Sequence, residues 1–500
     1  MENVAKVERT GKSSIVEQLD YVFNPRSVAV IGASNRVGTW GFGVMARLLG
    51  NPERKVYPVN SKTDQVMGIK AYRKITEIPE PVEFAVLSVP PTKTPEVMEE
   101  CVAKGVKAAL VITGGLAESG EEGAKLEKEL VKIARKGGIR FIGPNSMGHV
   151  NTHSSFSTLA WMKDVKPGPV AFLAQSGTYG NRIVRTGLHQ GFGFSKFVSN
   201  GNEADLHLED YIEYLANDEE TKIIGIYLEG LREGRRFFEM AKQITREKPI
   251  IIMKTGATEG SAKAAKSHTA SLCGSDKIYD GMFKQSGVIR VEDEIELFDV
   301  VNALLSLPLP KGDRVGILTE GGGIGVVMAE ATEKVGLELP KYSSETTETL
   351  RSRLPSRCSC GNPTDITDLV TSGELVIFSC LWTIMEDPNV DILILLGGVG
   401  AGSYFSRMVE DTPSANNKEF RKMVKSLEEQ EIKNLDLLRE KIDRLEKPLV
   451  YVNLMPRVME EPESFELLRE RRIPIFPNPR RAAKALRHVV DYSKFLSQFE

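Results

Sequence analysis

The sequence predicts an α/β fold built from successive parallel-sheet domains. Short apolar runs rich in Val and Ile recur between helix-length segments, and glycine-containing turns follow those runs directly. The pattern of β-run, turn and helix also restarts late in the chain, where Val315-Gly-Ile-Leu-Thr-Glu-Gly-Gly322 echoes Val170-Ala-Phe-Leu-Ala-Gln-Ser-Gly177. At roughly 100–200 residues per domain, 500 residues hold about three domains, each large enough to bury a core.

After an N-terminal tail over residues 1–22, the first domain, 23–150, opens with the predicted strand Ser27-Val-Ala-Val-Ile31. It continues through Lys55-Val-Tyr-Pro-Val59, Phe84-Ala-Val-Leu-Ser-Val89, Ala108-Ala-Leu-Val-Ile112 and Arg140-Phe-Ile142. The second domain, 151–306, begins its β-runs at Pro169-Val-Ala-Phe-Leu-Ala174. Lys222-Ile-Ile-Gly-Ile-Tyr-Leu228 and Pro249-Ile-Ile-Ile-Met253 follow, and a helix over 295–305 closes it. Prolines and a glycine mark 307–312 as a linker. The third domain, 313–500, restarts with Arg314-Val-Gly-Ile-Leu318 and adds runs at 391–396, 448–452 and 473–476. It carries a helical insert over about 403–447. There Phe420, Met423, Val424 and Leu427, then Leu435, Leu438, Ile442 and Leu445, recur at three- and four-residue spacing. Such a stripe fits a helix packed on its own domain or one that docks on a partner.

Composition excludes several classes. The 65 basic residues are balanced by 68 acidic ones, without the cationic excess that binding a phosphate backbone needs, so nucleic acid is not an expected partner. Cys101, Cys273, Cys358, Cys360 and Cys380 are odd in number and lack C-x-x-C spacing, which argues for reduced thiols rather than a disulfide framework or a metal site. No run reaches the roughly 18–20 apolar residues of a membrane span, and the N-terminus has no apolar signal core. The expectation is a soluble cytoplasmic protein.

His268 is the most informative residue. It lies in the small, polar stretch that follows the run Pro249 to Met253, where a side chain can move. A neutral imidazole nitrogen is nucleophilic, and an ordinary pKa near ~6.5 keeps much of it neutral at cytoplasmic pH. It is therefore a candidate carrier of a covalently bound group. Glu229 ends a strand whose C-terminal end should face the ligand crevice, where its carboxylate can accept from one imidazole nitrogen and leave the other to attack.

Three glycine turns follow strands at the same kind of place. Gly32, Ala33, Ser34, Asn35, Arg36 and Gly38 occupy the position of a dinucleotide fingerprint, with backbone amides able to hold a pyrophosphate. A nicotinamide site also wants an acid after the second strand, yet Asn60 stands there, followed by Ser61 and Lys62. A cation suits an additional phosphate, and coenzyme A carries one on its ribose. CoA thus fits this turn at least as well as NAD, alongside a purely structural turn. The helix starts at Ser176, Gly177 and Thr178, and at Gly321, Gly322 and Gly323, leave unpaired amides that can cradle an anion. Two such ends aimed at one phosphate would hold it from both sides.

These residues add up to a family resemblance. From about Phe23 to Asp491 the chain resembles the NDP-forming acyl-CoA synthetases, relatives of succinyl-CoA synthetase. The motifs are Pro25-Arg-Ser-Val-Ala-Val-Ile-Gly-Ala-Ser34, Val56-Tyr-Pro-Val-Asn-Ser-Lys62, Gly143-Pro-Asn-Ser-Met-Gly148, Gln175-Ser-Gly177 and Ser199-Asn-Gly-Asn-Glu-Ala-Asp205. Tyr227-Leu-Glu-Gly230, Lys254-Thr-Gly256, Ser267-His-Thr269, Gly274-Ser-Asp276 and Asn362-Pro-Thr-Asp365 continue the series. The resemblance implies a Rossmann-like CoA-binding domain followed by two flavodoxin-like domains, as in the α subunit of ADP-forming acetyl-CoA synthetases. It implies a CoA site at Gly32, Ala33, Ser34, Asn35, Arg36, Gly38, Asn60, Lys62, Ser88, Pro90 and Asn145. It makes His268 the phosphohistidine, Glu229 its stabilising acid, and the turns at Ser176–Thr178 and Gly321–Gly323 the phosphate holders. The implied reaction converts acyl-CoA, phosphate and ADP reversibly into a carboxylic acid, CoA and ATP.

The sequence departs from the family pattern in three ways. Its three α/β blocks leave no room for an ATP-grasp domain, so Mg²⁺ with ADP or ATP is expected on a separate ATP-grasp β subunit, in a hetero-oligomer such as α2β2. Glu320 stands where relatives usually carry Asn beside the second phosphate turn, and its charge opposes phosphate unless it is paired or turned away. The 403–447 insert is longer than usual. These departures keep open the alternative of a catalytically inactive CoA- or acyl-CoA-binding regulatory homologue, against which intact His268 argues. An NAD-dependent oxidoreductase fails on Asn60.

Overall fold

A computed structural model describes residues 14–51, 54–162, 164–258, 260, 275–366, 376–400, 407, 409–410, 412–453 and 463–499. The chain divides into two units, Met1–Glu294 and Ile295–Glu500.

In the first unit, helix α1 (Ser14–Phe23) precedes β1 (Ser27–Ile31), α2 (Trp40–Leu48), β2 (Lys55–Val59) and the small hairpin β3 (Gln65–Val66) and β4 (Ile69–Lys70). There follow β5 (Phe84–Leu87), α3 (Thr94–Lys104), β6 (Ala108–Val111), α4 (Glu121–Lys136) and β7 (Arg140–Ile142). Their sheet is parallel, in the order β2-β1-β5-β6-β7. Part of the stretch expected as a tail is therefore α1. Its Val16, Leu19, Val22 and Phe23 are buried in a core shared with Val28 and Val30 of β1, because their spacing puts all four on one helix face.

A second sheet follows, from β8 (Gly148–Asn151), β9 (Phe156–Ser157), β10 (Pro167–Ala174), β11 (Phe194–Ser199), β12 (Ile223–Leu228), β13 (Ile250–Lys254) and β14 (Ile289–Val291). Helices α5 (Gly177–His189), α6 (Leu208–Ala216), α7 (Gly234–Ile244) and α8 (Asp276–Ser286) alternate with them. The order is β14-β13-β12-β10-β11-β8-β9, parallel except for β8 and β9, which run antiparallel at the edge. β8 spans residue 150, the expected domain boundary, and pairs with β11 of this second sheet.

Helix α9 (Glu294–Ser306) leads to the second unit's sheet, β15 (Val315–Thr319), β16 (Thr364–Asp365), β17 (Ile392–Leu396), β18 (Leu449–Val452) and β19 (Ile475–Phe476). Helices α10 (Gly322–Lys334), α11 (Ser344–Arg353), α12 (Val376–Glu386), α13 (Lys418–Leu445), α14 (Glu463–Glu470) and α15 (Pro479–Leu496) surround it. The sheet is parallel, in the order β16-β15-β17-β18-β19. Successive residues of β17 serve opposite faces. Ile392, Ile394 and Leu396 join Ala482 and Leu486 of α15 in one core, while Leu393 and Leu395 join Leu381 of α12 and Leu438 of α13 in the other. Within the expected insert, α13 is an ordinary core helix on its C-terminal half; 403–406, 408 and 411 lie outside the described residues.

The predicted strands at 27–31, 55–59 and 140–142 coincide with β1, β2 and β7, and the others differ at their ends by one or two residues. Counted in chain order, the parallel strands of all three sheets share the arrangement 2-1-3-4-5. That arrangement opens a crevice between strands 1 and 3, at their carboxyl ends, where the crossover direction reverses.

Candidate functional site

In the first sheet the crevice lies between β1 and β5, and the predicted CoA turn stands at its mouth. Gly32 has φ +90°, and a Cβ there would sit 2.1 Å from the Ser88 carbonyl oxygen. A Cβ on Gly41 would meet the Gly32 carbonyl at 2.0 Å, so α2 begins in direct contact with the turn. The polar side chains of the turn shape it. Asn35 donates to the Gln65 carbonyl at 3.0 Å and accepts from the Met67 amide at 2.8 Å. Asn60 donates to the Ala33 carbonyl and accepts from the Lys62 amide, both at 2.7 Å. Ser34 accepts from the Arg36 amide at 2.9 Å. Arg36, Gly38, Lys62 and Pro90 are exposed. Asn145, at φ +59°, is also exposed, and its main-chain amide donates to the Thr113 carbonyl just past β6. The structure thus gathers the expected CoA residues along the carboxyl edge of one sheet. Asn35 and Asn60 act there as braces, and the cations face water.

In the second sheet the crevice lies between β10 and β12. Ser176 caps α5, accepting from the Tyr179 amide at 3.4 Å. Gly177 is required by packing, since a Cβ would stand 2.5 Å from Met147 Cγ. Thr178 is exposed at the helix start. Across the crevice, Glu229 follows β12 with only 5% of its surface exposed. Its main-chain position is fixed by Gln175, whose Oε1 accepts from the Glu229 amide at 2.6 Å and the Gly230 amide at 3.0 Å. Gln175 Nε2 donates to the Gly230 carbonyl at 2.7 Å and to Glu203 Oε2 at 3.1 Å. Asn200 donates to Glu203 Oε1 at 2.6 Å. Burial pushes the Glu203 carboxyl up to about 7, against those two amide hydrogen bonds and with the Glu209 charge adding to the rise. Lys254, at the end of β13, is buried; its Nζ donates to the Glu229 carbonyl at 2.9 Å and lies 4.7 Å from the centre of the Tyr279 ring.

His268 lies outside the described residues, as does Cys273. Gln175, Glu203 and Lys254 escaped the sequence reading as site residues, although each stands inside a motif quoted for the resemblance. Adjacency to Ser176, Glu229 and the start of the His268 stretch was their available signal.

In the second unit the corresponding crevice lies between β15 and β17. Gly321 caps α10 without a side-chain cap, and Gly322 and Gly323 are exposed. Glu320 does not project freely beside this turn. Its carboxyl accepts from the Gly398 amide after β17, and it fills the space over Gly397, where a Cβ would meet Glu320 Cδ at 2.2 Å. Burial raises its pKa. Glu431 of α13 accepts from the Gly400 amide at 2.6 Å, and burial pushes its carboxyl up to about 7.

No helix among the described residues is long and apolar enough to cross a membrane. Residues 26–152 match the model of the CoA binding domain, and residues 167–304 that of the succinyl-CoA ligase like flavodoxin domain. The chain is 45% identical to the α subunit of ADP-forming acetate–CoA ligase II from Pyrococcus furiosus, over 76% of this chain and 82% of that one. It is 38% identical to the α subunit of ligase I from the same organism, over 95% of this chain and 98% of that one. Among solved structures it is similar to acetyl-coenzyme A synthetase 1 from Ca. Korarchaeum cryptofilum, solved with phosphate and ADP. The TM-score is 0.78 and the identity 32%, covering 96% of this chain and 98% of that one. Three sheets with one strand order, a match to the CoA binding domain, a capped helix across the crevice from a buried glutamate and these relatives lead to one assignment: the chain belongs to the NDP-forming acyl-CoA synthetases, among the α subunits of the ADP-forming acetate–CoA ligases.

Proposed function

We propose that this chain binds the CoA thioester and carries the phosphoryl group of an ADP-forming acyl-CoA synthetase, working in the cytoplasm with a separate ATP-grasp β subunit that holds Mg²⁺ and ADP or ATP. The observation that carries the reading is the second crevice, where the amides at the start of α5 face the buried Glu229. Unpaired helix amides favour an anion, and a carboxylate beside them favours a protonated imidazole nitrogen.

A phosphate oxygen attacks the thioester carbonyl carbon. The C–S bond breaks, and the thiolate leaves to take up a proton as free CoA. The resulting acyl phosphate gives its phosphoryl group to a neutral nitrogen of His268 and releases the carboxylate. A terminal phosphate oxygen of ADP then takes the phosphoryl group from His268 and forms ATP. Every step reverses. Ser176, Gly177 and Thr178 supply amides to the phosphate; in the second unit, Gly322 and Gly323 at the start of α10 carry amides of the same anion-binding kind, while the Gly321 amide donates to Thr319 Oγ1 at 3.2 Å. Glu320, which motivated the inactive alternative, has its carboxyl against the Gly398 amide.

The CoA phosphates fit the first crevice by the same logic. The Gly32 turn presents backbone at close range, and the exposed Arg36 and Lys62 supply cations where a nicotinamide site would need an acid. The enzyme assembled with its partner should take up an acid-labile, base-stable label from [γ-³²P]ATP, and His268→Ala should remove both label and turnover. Label that survives the substitution refutes the assignment of the nucleophile.

A further inference from the structure

Glu203 is a buried acid in a costly setting. Its residue is 3% exposed, its backbone lies in the left-handed region at φ +53°, and it forms no ion pair with a described residue. A side chain bearing a Cβ is disfavoured there, and a buried carboxylate held by neutral donors gives up strong hydration. Strain and desolvation gathered on one residue next to a reacting centre mark a functional position.

The geometry shows what it does. Gln175 is 92% buried and must present an acceptor to two main-chain amides, those of Glu229 and Gly230. An amide side chain is nearly symmetric in shape, so its neighbours decide which end points where. The Gly230 carbonyl and the Glu203 carboxylate both call for the NH₂ end on the other side. Flipping Gln175 would set its NH₂ against two buried N–H donors and its oxygen against two acceptors. Glu203 is in turn fixed from both sides. Asn200 donates to its other oxygen, and neighbouring Asn202 and Asp205 tie the same loop to α4, to the turn before it and to β7. Asn202 donates to Glu118 and Glu127, and Asp205 accepts from Arg135, Arg140 and the Phe141 amide.

We propose that Glu203 is a positioning residue of the transfer site: its carboxylate orients the Gln175 amide, which sets the backbone of Glu229 and Gly230. The proposal rests on Glu229 being the acid that serves His268. An ionised carboxylate only accepts, so it holds Gln175 in the working orientation. Its protonated form carries an O–H donor and no longer accepts from both amides. The groups acting on Glu203 are Gln175 at the end of β10, Asn200 after β11, Glu209 and Tyr211 of α6, and Arg232 after β12. With its carboxyl pushed up to about 7, the acid limb of activity should contain a Glu203 proton in addition to that of His268.

The test uses the complete enzyme with its partner subunit and compares wild type with Glu203→Gln, Gln175→Ala, the double variant and Glu229→Gln. Glu203→Gln should lower kcat about tenfold, with KM for the CoA thioester unchanged, as expected for slight misplacement of a reacting group. The slope of its acid limb should fall from near two protons to near one. Gln175→Ala should cost a similar factor, and the double variant no more than either single one, because both act along one path. A kcat and pH profile like wild type in Glu203→Gln overturns the proposal, as do losses that multiply in the double variant. If Glu229→Gln forms phosphoenzyme at the wild-type rate, the reading of Glu229 itself fails and the proposal falls with it. Failure of the Glu203 arms with an impaired Glu229→Gln leaves that reading intact.

Discussion

His149 has its imidazole fully buried, with Nε2 2.8 Å from the Val22 carbonyl at the end of α1 and Nδ1 3.0 Å from Thr158 Oγ1. Burial drives its pKa down to about 4, the Val22 hydrogen bond opposing and the charge of Arg54 assisting. The unfolded chain takes up that proton near ~6.5 and the folded one does not, so stability is complete above that pH and declines as pH falls toward 4. Glu203 works in the opposite sense, its raised pKa costing stability as pH rises from about 4.5 to 7. Comparison with a His149 variant isolates the histidine. Urea unfolding at about pH 7.5 and about pH 5 should show His149→Gln losing roughly 2 kcal/mol less than wild type over the interval; equal losses would exclude the buried neutral imidazole. Residues of this kind are hidden in sequence. Gly32, Ser176 and Glu229 were legible because their places follow from a strand and the turn after it. His149, Gln175 and Glu203 owe their chemistry to neighbours far along the chain.

At the scale of elements, α13 shows how a periodic stripe divides between tasks. Leu435, Leu438 and Ile442 are fully buried in the second unit's core, whereas Met423 is 50% exposed. The plain reading of a helix on its own domain holds for the C-terminal half. Leu438→Ala should cost about 2–5 kcal/mol of unfolding free energy, and Met423→Ala within about 0.5 kcal/mol of nothing, measured by denaturant unfolding. Equal effects would mean that the helix is not seated as described. α1 escaped the sequence reading because its four core residues sit in one short segment next to a charged terminus, too brief for a periodic signal. β11 and the antiparallel β8 and β9 escaped it too. Phe194–Ser199 carries three polar residues among its six and no regular alternation, yet it is buried throughout, so its composition understates its burial.

At the scale of the whole molecule, the chain repeats one strand order three times and sets a different cluster at each crevice: the Gly32 turn, the start of α5 with the buried Glu229, and a glycine turn closed by Glu320. None of the three crevices carries a further nucleotide-phosphate loop such as G-x-x-x-x-G-K-[ST] in its sequence. The chain by itself should therefore be silent in acyl-CoA-, phosphate- and ADP-dependent ATP formation and should gain activity on adding a nucleotide-binding partner. Robust turnover by the purified single chain would reject the two-subunit reading. By itself the sequence determined the fold class, the order of the strands along the chain and the glycine turns that follow them, because each follows from local periodicity and from glycine's freedom at strand ends. Only the tertiary structure decided which strands become neighbours, that Asn35 and Asn60 brace the Gly32 turn, that Glu320 turns onto Gly398, and that Glu203 reaches Glu229 through Gln175. Those outcomes depend on burial and hydrogen-bond partners brought together from distant parts of the chain, which no local pattern encodes.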